Sequence, residues 1–412
     1  MNCIRGLFLI ACSLSIALST QSQVQKIYLH PKAAGSEKQS KFIDSVRFIP
    51  LEVTPDAQFT QYSNVEVTRD YFMIRNYQAK ELVLYDKQGR YIKKISYKKL
   101  AGDLYPAYDL RTNQLIFFGY NSTYALTPKD QIKIEMDWSS PKNKKYFKKY
   151  SIDLNDSTFA IKKEKPEQKD IIRAYHFYDD IYAAGVIKTS ELFTDSLDYE
   201  YKLYRDNKFI KGFWPYNRIN ELKYQYQPES ISIGRTDTPY INYITRPYSD
   251  IIYKMVHDSI TPYYQVVLPL ENSLPQSFFT KPFKNKTEKD NFRRNNGMLL
   301  HAIHPMYEND RFLYFMVAYL YNWEAYIYQK QTQVTHKAKN IKGDSSQYNL
   351  SLLSDFGLTR NKDQFYKTQK AGDLISYFEK HKDVAIPPEL EKFIKSNPPA
   401  TSPIIIEFKF KN

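Results

Sequence analysis

Cysteine is almost absent from this chain, with two in 412 residues, Cys3 and Cys12, both close to the N-terminus. A disulfide framework and a cysteine-rich zinc site are therefore excluded. Glycine is scarce, at 12 residues, and no Walker loop, G-x-S-x-G elbow, H-E-x-x-H pair or complete EF-hand pattern occurs. Long apolar runs are missing as well. The only one, Leu7 to Leu18, falls short of the roughly 20 residues a membrane helix needs. Cation–anion balance is lacking too, since 59 Lys and Arg face 45 Asp and Glu, a formal charge of +14.

The opening residues, MNCIRGLFLIACSLSIALSTQSQVQ, set Arg5 before the apolar run and small polar residues after it. That is the pattern of a secretory signal, expected to span residues 1–22 with cleavage after Ser22. Both cysteines would leave with it. The protein is thus expected to be soluble and periplasmic or secreted. A rival reading takes LIAC, ending at Cys12, as a lipoprotein box, but apolar residues continue past Cys12 where a polar tether normally begins.

The excess positive charge is scattered. Its densest stretches are residues 141–150, PKNKKYFKKY, and residues 280–294, where Glu288 and Asp290 are interspersed. Such stretches read as solvated faces, and export removes the chain from most nucleic acid, so no nucleic-acid partner is expected. Anionic glycans or a membrane surface are the partners the charge would favour.

What the chain has in abundance is aromatic: 37 Tyr and 25 Phe, residues that suit a pleated, half-buried surface. The stretch ELVLYDKQGRYIKKIS, residues 81–96, alternates on both sides of a turn in which Asp86 opens and Gly89 closes. Comparable hairpins recur at 201–213, 251–267 and 325–339. A second kind, with a polar turn before an aromatic strand, recurs at 65–76, 107–120, 151–163, 174–187, 232–245 and 304–320. Turn residues Asp70, Asn113 and Asp156 fall at a spacing of 43. A period in the forties is a repeated supersecondary unit, and two hairpins per unit make a four-stranded antiparallel sheet.

The fold expected is all-β, a six-bladed β-propeller in one domain over residues 23–412, with about 60 to 65 residues per blade once loops are counted. Residues 271–297 interrupt the alternation as a polar, partly helical insertion. Residues 371–381 and 387–397 show helical apolar spacing, and IIIEFKF, residues 404–410, reads as a closing strand that pairs near the N-terminus.

The run DSVRFIPLEV (44–53), YSNVEVTRDYFMIRN and ELVLYDKQGRYIKKIS resembles the six-bladed propeller family of secreted and periplasmic proteins found in Bacteroides-type bacteria. The likeness continues through 249–272, 310–322 and the C-terminal tail, and is weaker over residues 100–220. It implies six blades and no catalytic residues.

Candidate sites are few. HAIH sets His301 and His304 near Glu308 and Asp310, yet residues three apart on a strand face opposite sides, so a metal there is not expected. FWPYNR combines Trp214, Tyr216 and Arg218 in an expected loop, the weak candidate for ligand contact; LYNWEAY holds Tyr321 and Trp323, for which filling a blade interface is the plainer reading. No cofactor is expected. The function expected is that of an extracytoplasmic binding or scaffold protein for a glycan, peptide or envelope protein, the alternative being a polysaccharide hydrolase or lyase at the channel mouth.

Overall fold

A computed structural model describes residues 24–59, 65–76, 78–100, 105–121, 141–171, 175–185, 197–206, 208–217, 231–236, 238, 240–353 and 358–412. The expected signal, with Cys3 and Cys12, lies outside them. Six sheets stand in a ring. The N-terminal segment supplies β1 (Gln25–Tyr28), β2 (Gly35–Lys38) and β3 (Ile43–Pro50). Blade 1 is β4 (Glu66–Val67), β5 (Tyr71–Asn76), β6 (Glu81–Asp86) and β7 (Tyr91–Ser96); blade 2 is β8 (Tyr105–Asp109), β9 (Gln114–Tyr120), β10 (Phe147–Asp153) and β11 (Lys162–Glu164). A short helix α1 (Gln168–Ile171) leads into blade 3, β12 (Tyr175–Tyr178), β13 (Ile181–Gly185), β14 (Leu197–Arg205) and β15 (Lys208–Asn217).

Blade 4 is β16 (Ser232–Arg235), β17 (Ile241–Thr245), β18 (Ile251–Val256) and β19 (Ser259–Val267), followed by α2 (Gln276–Thr280) and α3 (Lys286–Asn295). Blade 5 is β20 (Leu300–Glu308), β21 (Phe312–Tyr319), β22 (Trp323–Gln329) and β23 (Val334–Lys342). Blade 6 is β24 (Thr359–Asn361), β25 (Gln364–Lys370) and β26 (Pro403–Phe410), with α4 (Ala371–Lys380) and α5 (Pro388–Lys395) inserted between its last two strands. Strands are hydrogen-bonded in chain order within each blade, with β3 as the fourth strand of blade 6. N- and C-terminal segments therefore share one sheet, through Ile404↔Pro50 to Phe410↔Ile43. That pairing closes the ring through backbone hydrogen bonds, joined by the Arg47–Glu407 ion pair at 3.0 Å.

Two blades depart from four antiparallel strands. β1 adds to β19 and β2 to β23, both in parallel. Residues 25–50 thus run past the outer edges of blades 4 and 5 before completing blade 6, covering backbone that would otherwise template aggregation. Parallel pairing follows because this stretch travels alongside those edges and is not joined to them by a hairpin.

Local chemistry explains the turns. Asp86 Oδ1 accepts from the amides of Gln88 and Arg90, each at 2.9 Å, and Gly89 sits at φ +84°. A side chain at Gly89 would lie 2.4 Å from the Pro50 carbonyl oxygen, so the blade 1 turn and the end of β3 can approach only with glycine there. The evenly spaced turns meet in space. Asn113, itself at φ 53°, donates to Asp70 Oδ2 at 3.3 Å and Asn155 Oδ1 at 2.8 Å.

Because blades bury their faces against one another, the core is divided among the interfaces. Buried apolar residues join blade 6 to 1 (Ile405 with Phe72), 1 to 2 (Leu84 with Phe117), 3 to 4 (Leu203 with Ile244), 4 to 5 (Val266 with Phe315) and 5 to 6 (Ile327 with Phe365). Leu374, Phe378 and Leu390 bring α4 and α5 onto the last of these. The 271–297 insertion has its own small cluster, in which Phe278 packs with Tyr248, Leu299 and Leu320. Blades 4 and 5 are also pinned by Glu308, which accepts from Tyr264 at 2.6 Å, from Tyr263 at 3.1 Å, from Tyr243 and from Lys330. Burial pushes the Glu308 carboxyl up, and the Lys330 ammonium opposes that.

Candidate functional site

Between blades 2 and 3 the described residues form no buried apolar cluster. The cause is visible in β10: its alternate positions Lys149 and Ser151 pair with Phe118 and Ile116 of β9, and polar groups take the places that aliphatic residues hold in β6. A strand buried on both faces should be apolar on both. Here one face is not, and a cleft of about 790 Å³ results.

Lys149 lines it. Its ammonium lies 3.1 Å from Asp170 of α1 and 3.4 Å from Glu164 of β11, with the Lys149 side chain 8% and the Asp170 side chain 12% exposed. Ser151 Oγ donates to the other oxygen of Glu164. Asp170 also accepts the Glu167 amide at 2.8 Å, which secures the start of α1.

The blade 3 wall is aromatic. Tyr182 accepts a hydrogen bond from Lys169 at 3.2 Å, while the same ammonium lies 4.8 Å above its ring and 3.0 Å from Glu167. Partial burial would lower the Lys169 pKa, but the bonds to Glu167 and Tyr182 outweigh it and hold it raised. His176 packs edge-on against Tyr182 with ring centres 5.7 Å apart and shares a hydrogen bond with the Asp179 carbonyl. The rim comes from the turns joining the first two strands of blades 2, 3 and 4, including Asp109, Arg111, Asp179 and Tyr240.

Charge in the cleft runs against that of the chain. Asp109, Glu164, Glu167, Asp170 and Asp179 outnumber Arg111, Lys149 and Lys169, although the sequence carries +14. A polyanion finds no net attraction here. Asp109, Glu164, Glu167 and Asp170 are engaged by lysine, serine, threonine or backbone donors, an arrangement that fixes hydrogen-bonding groups in place. Among the described residues no three His, Cys, Asp or Glu are placed to hold a metal ion.

The residues singled out from sequence lie elsewhere. Trp214 and Tyr216 are on strand β15, not in the expected loop. Trp214 packs 5.0 Å from the Tyr253 ring with the Arg246 guanidinium 5.4 Å from its own, in the contact between blades 3 and 4. Tyr216 is buried and donates to Asp198 at 3.4 Å. Arg218 lies outside the described residues. His301 sits 5.2 Å from the Tyr248 ring, while His304 bonds Ser232 Oγ at 2.8 Å and stacks on Trp323. Trp323, expected to fill an interface, is 45% exposed. The basic stretch 141–150, expected to be solvated, contains the buried Lys149. Polar alternation inside a repeat whose sheets are buried on both faces was the signal that could have marked the cleft.

Residues 17–102 match the family described as DUF5128, 6-bladed beta-propeller. A solved structure of a Bacteroides fragilis protein described as exported shares 11% identity, covering 95% of this chain and 100% of its own at a TM-score of 0.57. The six-bladed propeller resemblance holds. A DUF4221 family member from Bacteroides vulgatus shares 12% identity over 91% of this propeller and 100% of its own chain, with a TM-score of 0.43. Virginiamycin B lyase from Staphylococcus aureus shares 8% over 89% and 99%, at 0.35. At these identities the likeness is one of fold alone. No curated protein matches the propeller's sequence.

Proposed function

We propose that this propeller is an extracytoplasmic binding protein that takes a neutral, hydroxyl-rich ligand, an oligosaccharide, into the cleft between blades 2 and 3. One observation carries the reading: the interface that lacks an apolar core is lined instead by an ordered set of donors and acceptors around Lys149, beside the Tyr182 ring. Fixed polar groups next to an aromatic face are what recognition of sugar hydroxyls and C–H surfaces requires. The excess of carboxylates disfavours anionic glycans, and the engagement of Glu164 and Asp170 by one lysine supports binding over hydrolysis, in which one carboxyl must be free to give up a proton. The signal pattern of residues 1–22 supports export.

The test is a glycan array read together with product analysis on the same sugars. Retention of neutral oligosaccharides with no new reducing ends or unsaturated products, its cleft-bound part weakened at least tenfold by Tyr182→Ala, is the expected result. Turnover would favour the polysaccharide hydrolase or lyase. Selective retention of sulfated or uronic-acid glycans would overturn the charge argument.

A further inference from the structure

At the turn between the second and third strands of blade 5 the chain presents aromatic surface to solvent. Tyr321 is 62% exposed, Trp323 45% and Met298 39%. This shelf belongs to a different part of the ring from the cleft. Blade 5 stands opposite blade 2, and the turn that carries the shelf lies at the other end of the strands from the turns that rim the cleft.

The shelf is rigid from beneath. The His304 ring stacks under Trp323, with centres 5.4 Å apart and planes 12° from parallel, and His304 is anchored to Ser232 of blade 4 at 2.8 Å. The Trp323 amide donates to Asn322 Oδ1 at 2.9 Å, and the Tyr321 amide donates to the Gly297 carbonyl at 3.0 Å, tying the turn to the insertion. One face of the indole is occupied by imidazole, and Trp323 as a whole remains 45% exposed. Burial, reinforced by His301, lowers His304 to about 4, so the supporting ring is uncharged at neutral pH.

Met316, Tyr321, Asn322 and Trp323 line an open depression of about 510 Å³ with no carboxylate, ammonium or guanidinium among them, in a chain of net charge +14. An uncharged aromatic plane attracts neither a polyanion nor a cationic peptide through long-range field. Asn322 Nδ2 reaches only distant acceptors, Glu324 at 3.4 Å and the Met298 sulfur at 3.6 Å, and can donate to an incoming hydroxyl instead. We infer that the Trp323–Tyr321 shelf is a second ligand site, one that stacks a neutral pyranose ring of an oligosaccharide on the face of Trp323 opposite His304 with Asn322 as the hydroxyl donor. The inference stands on this geometry and does not depend on the blade 2–3 cleft.

The probes are neutral hexasaccharides of β-glucan, β-mannan and α-glucan type, and the readout is protection of tryptophan fluorescence from acrylamide quenching, alongside affinity by calorimetry. In the full chain at least one hexasaccharide should protect a tryptophan. Trp323→Ala should abolish that protection and weaken the shelf's share of the calorimetric binding at least tenfold, Trp323→Phe should restore most of that share, and Tyr182→Ala should leave protection intact. If no hexasaccharide protects a tryptophan, or if Trp323→Ala is protected like the parent, the site is overturned. Loss of protection in Tyr182→Ala alone would assign the sugar to the cleft and equally overturn the shelf.

Discussion

Replacing Lys149 with methionine probes the polar interface most directly. Asp170, at 12% side-chain exposure and 3.1 Å from the ammonium, would lose its counter-ion inside the protein. Removing one partner of a buried pair costs about 3–5 kcal/mol, whereas Glu164, at 34% exposure, is screened by solvent and adds little. The expected loss is about 3 kcal/mol. Converting the whole set, Lys149→Met with Glu164→Leu and Asp170→Leu, removes the charges together. Such exchanges are often neutral or stabilising by about 1–4 kcal/mol. Against that stand the lost bond from the Glu167 amide, about 1 kcal/mol, and the Ser151 hydroxyl left without its acceptor. The triple variant should therefore unfold within about 1 kcal/mol of the parent while failing to retain the cleft ligand. Urea unfolding followed by tryptophan fluorescence measures both variants. A triple variant as unstable as the single one, or a single variant within about 0.5 kcal/mol of the parent, would show that the charges are not coupled as the geometry requires.

Gly89→Ala forces a Cβ at φ +84° to within 2.4 Å of the Pro50 oxygen and should cost at least about 2 kcal/mol in urea unfolding; an alanine protein of parental stability would refute the close approach. Lys337→Met strands Glu324, both side chains being 10% exposed or less, and should cost about 3 kcal/mol or more. Lys286→Met in the exposed pair with Asp290 should change stability by less than about 0.5 kcal/mol, and equal effects of the two would show that burial is not what distinguishes them. For His304, the folded pKa of about 4 lies below the unfolded value of 6.5, so between those values the unfolded chain binds more protons. Its contribution to stability is complete above pH 6.5, falls as pH drops toward 4 and is level below that; His304→Phe should flatten this part of the pH–stability curve, and an unchanged slope would place the titration elsewhere.

The sequence alone determined the repeat. Alternating aromatic strands around Asp, Asn and Gly turns are local chemistry, and the spacing of 43 residues between Asp70 and Asn113 can be counted along the chain. Strand period and turn geometry depend on neighbours a few residues away, so they were legible, as were the helices α4 and α5. Which faces of those strands meet was not. Lys149, Glu164, Asp170 and Tyr182 come together only because ring closure sets blade 2 against blade 3, and the polar alternation of Lys149 and Ser151 marks a cleft only once the sheet is known to be covered on both faces. Trp323 and Trp214 likewise look alike as letters; the ring put one in the open on His304 and the other in the packing between blades 3 and 4. Burial of a side chain is decided by what distant segments bring to it, and only the tertiary structure contains that.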